Sequence, residues 1–291
     1  MEATEIFKKV RKIEIKTRGL SNQVFSGQYH SVFKGKGMAF SEVREYQYGD
    51  DIRSIDWNVT ARFNHPYIKI FDEERELTVM LLIDVSGSNQ FGTVRNLKQE
   101  MITELAAVLA FSAIQNNDKV GVIFFSNIVE KFIPPKKGTS HILRIIRELI
   151  DFRSQHTETN TAEALKYFTN VIKKRCTAFL LSDFLDQGFD DAIKIANKKH
   201  DVIGVHVYDP RETEIPPVGM IRIRNAETGK RIWVDTSDKV VRDSFRAWRE
   251  KHEKYLADIF RRSGVDIVKI RTDEDYVKPL IRLFKKREAR R

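Results

Sequence analysis

At 291 residues, with 41% hydrophobic and 32% charged side chains, the chain is long enough for one large domain, or a domain with an extension, that buries a sizeable core. Its one cysteine, Cys176, excludes an intrachain disulfide and suits a reducing compartment. The formal charge of +10 is the balance of 51 basic and 41 acidic residues, and signs so interleaved describe a solvated surface rather than a nucleic-acid-binding one.

Residues 1–10 carry acidic side chains and no apolar core, unlike a secretory signal. The longest uncharged apolar run, Leu105 to Ile114, is too short to span a bilayer, so a cytosolic protein is expected. Ile6, Val10 and Ile13 mark one face of a short helix over residues 3–15, and Gly19, Gly27, Gly35 and Gly37 then punctuate a weakly patterned stretch. Residues 38–76 are dense in charges and aromatics. Arg44, Arg53 and Arg62 lie near Asp50, Asp51 and Asp56, which predicts a structural ion-pair network rather than general acids. Trp57, Tyr46 and Tyr48 are expected to pack rather than to stack on bases. Tyr67 to Phe71 alternates like an edge strand leading to the central one.

Six of the seven residues from Leu77 to Ile83 are apolar, the pattern of a strand buried on both faces. It ends in Asp84-Val85-Ser86-Gly87-Ser88, and a helix is predicted over residues 94–115, with Leu97, Met101, Leu105, Val108 and Leu109 at helical spacing. Strands follow at 119–125 and, before Pro134-Pro135, at 128–133; helices at 141–152 and 161–174; and an apolar strand at 178–183 that ends in Asp183. A helix at 190–199, a strand at 202–207, a hairpin at 220–234, a charged helix at 238–263, a strand at 265–270 and a last helix from Tyr276 complete the chain. Alternating strands and helices predict an α/β fold with a doubly wound, mostly parallel sheet over residues 76–291, preceded by an accessory segment, residues 1–75.

Asp84, Ser86 and Ser88 put a carboxylate and two hydroxyls at the carboxyl end of a buried strand, where α/β sheets bind ligands. Thr159-Asn160-Thr161 places hydroxyls before a helix, and Asp183 closes its strand as Asp84 does. All three loops fall at one sheet edge. The competing reading is that these Asp and Ser residues only cap helices. The three loops together resemble the von Willebrand factor A domain, whose metal-ion-dependent adhesion site holds a divalent cation. The resemblance covers roughly residues 76–272 and implies Asp84, Ser86, Ser88, Thr159 and Asp183 as metal ligands, with a partner's Asp or Glu completing the site. Where many relatives carry paired glycines, the second loop reads His156-Thr157-Glu158. Two carboxylates and three hydroxyls suit Mg²⁺ or Mn²⁺.

Gly35 to Phe40, Arg44-Glu45-Tyr46, Tyr48 to Trp57 and Ala61-Arg62 resemble the signature of a bacterial family catalogued as domain of unknown function 58. Its members are often encoded beside MoxR-type AAA+ ATPases, some of them in operons linked to aerotolerance. The resemblance therefore implies an adaptor for such an ATPase, engaged through an acidic residue, with no catalytic residues. Two alternatives stand beside it. One is a metal-dependent phosphoesterase or nuclease using Asp84 and Asp183, which lacks a visible general base and a denser carboxylate cluster. The other is a structural subunit with a vestigial site. The histidines show no metal spacing, no Walker sequence exists, and Ser86 lacks the glycine that precedes a hydrolase nucleophile.

Overall fold

The structure, a computed structural model, describes residues 39–72, 77–91, 97–225 and 229–290. The helix expected over residues 3–15 lies outside them. The chain divides into two compact units, a small one over Phe33–Leu77 and a large one that contains Thr78–Arg291.

In the small unit β1 (Ala39–Glu45) pairs antiparallel with β2 (Tyr67–Asp72), and a short helix, α1 (Trp57–Phe63), lies between them in sequence. Asp56 starts α1 because its carboxylate accepts from the amides of Asn58 and Val59, at 3.0 and 3.3 Å. Arg44 grips Asp50 through two bonds of 2.9 and 2.8 Å, whereas Asp56 pairs with Lys69, not with an arginine. The expected arginine network is met at Arg44–Asp50, whereas Asp51 accepts the Arg53 backbone amide at 2.9 Å and caps the turn Ile52–Ser54. Trp57 is not packed: it is 70% exposed, and Tyr48 is fully exposed. Trp57 is the first residue of a helix of seven that buries no residue at all. β2 also departs from expectation, since its ladder is with β1, a strand the sequence pattern did not reveal.

The large unit is built on a six-stranded sheet. In chain order it contains β3 (Thr78–Asp84), α2 (Lys98–Gln115), β4 (Lys119–Phe125), β5 (Val129–Lys136), α3 (Thr139–Asp151), α4 (Thr161–Val171) and β6 (Thr177–Ser182). Then come α5 (Asp190–Lys199), β7 (Asp201–Tyr208), the hairpin strands β8 (Met220–Arg224) and β9 (Arg231–Asp235), α6 (Lys239–Ser263), β10 (Asp266–Arg271) and α7 (Val277–Glu288). The sheet order is β10-β7-β6-β3-β4-β5, parallel except for β5, which runs antiparallel to β4. The mostly parallel α/β sheet expected from the sequence is therefore present.

β3, β4, β6 and β7 are buried along nearly their whole length, because helices cover both faces of a parallel sheet. On one face Leu82, Ile123, Leu180, Phe168, Phe184 and Phe260 share a core, with the Phe184 and Phe260 rings edge to face at 5.2 Å. Gly204 of β7 admits this packing, since a Cβ there would lie 2.5 Å from the Phe260 ring. The β8–β9 hairpin pairs as expected and leaves Ile232 and Trp233 exposed. β5 runs on through Pro134 and Pro135 instead of stopping before them, which an edge strand tolerates. Among the described residues no helix is long and apolar enough to cross a membrane.

The strand order fixes the place of the site. From β3 the chain passes to β4 on one side, and from β6 it passes to β7 on the other. The crevice where the winding reverses therefore opens above the carboxyl ends of β3 and β6, which is where Asp84 and Asp183 stand.

Candidate functional site

Asp84 is the last residue of β3 and is fully buried. Its Oδ1 accepts the Ser86 amide at 2.9 Å, which turns the chain out of the strand, and its Oδ2 accepts the Ser182 hydroxyl at 2.7 Å from the neighbouring strand. Asn89 donates to the Asp84 carbonyl at 2.9 Å and closes the loop. Within that loop the Ser86 and Ser88 hydroxyls lie 3.0 Å apart, both buried. The Gly87 amide donates to the Thr157 carbonyl at 3.0 Å, tying the first loop to the second.

Capping does not account for these hydroxyls. Ser86 precedes a single 3-10 turn, Gly87–Gln90, but its side chain makes no cap bond. In the second loop Asn160 caps α4 by accepting the Glu163 amide at 3.0 Å, and Thr161 is held by Asp186 through its hydroxyl and amide. Thr159 is left over. Its Oγ1 is buried and has no hydrogen-bond partner among the described residues. An orphaned buried hydroxyl of this kind costs about 1–3 kcal/mol, so it calls for a ligand or a water.

Asp183, one residue past β6, is buried beside an internal cation. Lys98, at the start of α2 and wholly inaccessible, donates to Asp183 Oδ2 at 2.6 Å and to Glu212 Oε1 at 2.5 Å. Glu212 belongs to the turn after β7, where it forms a reciprocal cap with Asp209. Burial opposes ionisation of Asp183, but the adjacent Lys98 charge outweighs it and holds the carboxyl below its usual range. Burial also opposes the charge on Lys98, and Asp183 and Glu212 together keep the ammonium charged. For Asp84, burial and then the charge on Asp183 push the carboxyl up to about 7.

The structure thus brings Asp84, Ser86, Ser88 and Asp183 to one crevice, with the loop of Thr159 bonded to it. All five side chains offer hard oxygens. Lys98 answers Asp183 and Glu212 but not Asp84, whose carboxyl stays at about 7, and a divalent cation beside it would favour its charged form. The five residues therefore fit such an ion. Among the described residues no group of three or more His, Cys, Asp or Glu is placed to hold a metal, so an ion here would rest on the hydroxyls beside Asp84 and Asp183. Sequence reasoning missed Lys98, Glu212 and Ser182. Lys98 did leave a signal: it shares the stripe of Met101, Ile102 and Leu105, where a charge must find a buried partner.

Fold and site together define an α/β domain with a carboxylate-and-hydroxyl pocket at the switch point of its sheet. The chain belongs to the family described as Protein of unknown function DUF58, whose model matches residues 42–255. It is 27% identical over 281 residues to uncharacterized protein Rv1480 of Mycobacterium tuberculosis (strain H37Rv), covering 96% of this chain and 88% of that one. It is 31% identical over 127 residues to uncharacterized protein MAV169 of Mycobacterium avium, covering 43% of this chain and 75% of that one. Among solved structures, the conserved hypothetical protein BatB from Bacteroides thetaiotaomicron is 20% identical, with a TM-score of 0.48, over 74% of this chain and 100% of its own. Proximal thread matrix protein 1 from the mussel byssus, solved with a zinc-occupied MIDAS motif, is 18% identical, with a TM-score of 0.37, over 46% of this chain and 38% of its own. Neither likeness is close enough to assign an activity.

Proposed function

We propose that the chain is a non-enzymatic interaction module in which a divalent cation, Mg²⁺ or Mn²⁺, captures an acidic residue of a partner protein. The observation that carries this reading is the buried, unpartnered Thr159 hydroxyl, on a loop bonded to the one that holds the paired Ser86 and Ser88 hydroxyls. Asp84, Asp183, Ser86, Ser88 and Thr159 would hold the ion. Hydroxyls add no charge, so a cation held by only two carboxylates keeps affinity for one more anion. Lys98 offsets Glu212 and holds Asp183 in place, which leaves the ion to balance Asp84 and Asp183. The family resemblance makes a MoxR-type AAA+ ATPase the first partner to test.

Titration calorimetry with Mg²⁺ and Mn²⁺ is the direct test. Wild-type protein should bind one equivalent and Asp84→Ala none, with its circular dichroism unchanged. Equal binding by the two proteins would remove the metal from the proposal. If the metal binds, partner affinity should fall with chelator and with loss of one partner acid. The effects of Asp84→Ala and of that partner mutation should be strongly non-additive, since both remove one bond.

A further inference from the structure

The β8–β9 hairpin carries a charge pattern that its own residues do not satisfy. Among the described residues its sheet holds these two strands alone, and a two-stranded hairpin is marginally stable by itself. Side chains alternate along each strand, so Met220, Arg222 and Arg224 share one face with their cross-strand partners Asp235, Trp233 and Arg231. All six are exposed. Arg224 stands directly opposite Arg231, a pairing of like charges that weakens the hairpin. Arg222 lies over the Trp233 ring, 5.9 Å from its centroid. None of the three arginines has a carboxylate partner among the described residues. Asp235, the acid of this face, accepts the Ser237 amide at 2.9 Å. The opposite face is aliphatic, pairing Ile221 with Val234 and Ile223 with Ile232, and Ile232 is 59% exposed.

The fold sets this hairpin at the edge of the sheet that holds the cation pocket. β10 runs parallel to β7, so α6, which precedes β10, must carry the chain back across the sheet. The 25 residues of α6 span about 38 Å, against about 26 Å for the eight of β7. The start of α6, and the hairpin just before it, therefore lie past the carboxyl ends of the strands. Arg242 fastens the hairpin's base to α6 by donating to the Thr236 and Ser237 carbonyls, at 2.5 and 2.8 Å.

The two faces together select the occupant. Three unpaired guanidinium groups call for anions, and two of them face each other until an anion comes between them. A nucleic acid offers phosphates, and bases for Trp233, but nothing for the aliphatic face. A protein strand with acidic and apolar residues in alternation answers both faces at once when it adds to the hairpin. Such a segment also arrives at the edge where the partner's acid meets the cation. That last point rests on the function proposed above; the charge pattern does not.

We propose that the β8–β9 hairpin docks an extended acidic segment of a partner protein, with Arg222, Arg224, Arg231 and Trp233 as its contacts.

The test follows Trp233 emission in the full chain, with Trp57→Phe and Trp248→Phe removing the other two tryptophans. Chelator is present throughout, so failure of the cation pocket leaves the result untouched. The probes are an end-blocked peptide of alternating Glu and Val, oligothymidylate, and vesicles of phosphatidylserine and phosphatidylcholine. We expect a saturable blue shift with the peptide, weaker at higher salt, and no comparable response to the other two. Arg224→Gln should weaken peptide binding roughly fivefold, and Arg231→Gln likewise, the factor of a strong exposed charge pair. Each change should also slow amide hydrogen exchange in the hairpin, because it removes the like-charge pair. Loss of binding from a better-protected hairpin is what a merely structural arginine would not give. Silence of Trp233 toward the peptide would overturn the proposal. So would an equal response to oligothymidylate or to vesicles, or full-strength peptide binding by both arginine variants.

Discussion

Lys98 is the residue on which the charges of the site turn. Its ammonium lies between Asp183 and Glu212 and reaches no solvent. Lys98→Met keeps the stem's volume but leaves two carboxylates facing each other without a counter-ion. Breaking a buried pair from one side typically costs about 3–5 kcal/mol, and urea unfolding at pH 7 should show a loss of that order. Adding Glu212→Gln should recover part of it. A loss below about 1 kcal/mol would mean that water reaches these groups. At this scale the sequence was legible in one direction only. Asp84 and Asp183 announced themselves because each ends an apolar strand. The Lys98–Glu212 contact joins positions 114 residues apart, and no local spacing encodes it. Nor could the sequence say which residue of Thr159-Asn160-Thr161 caps α4 and which is left without a partner.

Among the elements, legibility followed burial. β3, β4, β6 and β7 were visible because both their faces are covered, which leaves unbroken apolar runs. β1 was not, because Ala39–Glu45 interleaves Ser41, Glu42, Arg44 and Glu45 with its apolar residues. α2 is described from Lys98, with Leu97 as its cap residue, where periodicity had suggested Val94; residues 92–96 lie outside the description. The contact between β7 and α6 gives this scale its prediction. Gly204→Ala would drive a methyl into the Phe260 ring, at 2.5 Å from Cε1 and 2.9 Å from Cζ. Overpacking of this kind costs about 1–3 kcal/mol, read as a lower denaturation midpoint. Combining it with Phe260→Leu should cost less than the sum of the two single changes, because the smaller side chain gives the methyl room. Strict additivity would show that the helix moves away instead.

For the whole molecule, acid stability depends in part on His206. It is fully buried on β7, and neither ring nitrogen has a hydrogen-bond partner among the described residues. Burial, chiefly, pushes its pKa down to about 3. The unfolded chain takes up this proton near pH 6.5, whereas the native protein refuses it until far lower pH. The stability contributed by the neutral ring is therefore complete above about pH 6.5 and is lost as pH falls toward the native value. The slope is about 1.4 kcal/mol per pH unit between pH 6 and 4. His206→Phe, beside the rings of Phe184 and Tyr208, should flatten the profile by that amount. Parallel profiles for wild type and variant would show that the histidine takes up its proton at the same pH in the native and unfolded states.

The prolines of β5 bear on how this sheet meets other chains. Successive amides of a strand point alternately toward its neighbour and away from it. With Pro134 and Pro135 adjacent, one of the two missing donors must face outward, whichever way the strand is set. The other falls toward β4, where the ladder slips between Val120 and Val122. A foreign strand laid along this border would find a gap in its hydrogen bonds on arrival, so fibril-like growth is blunted there.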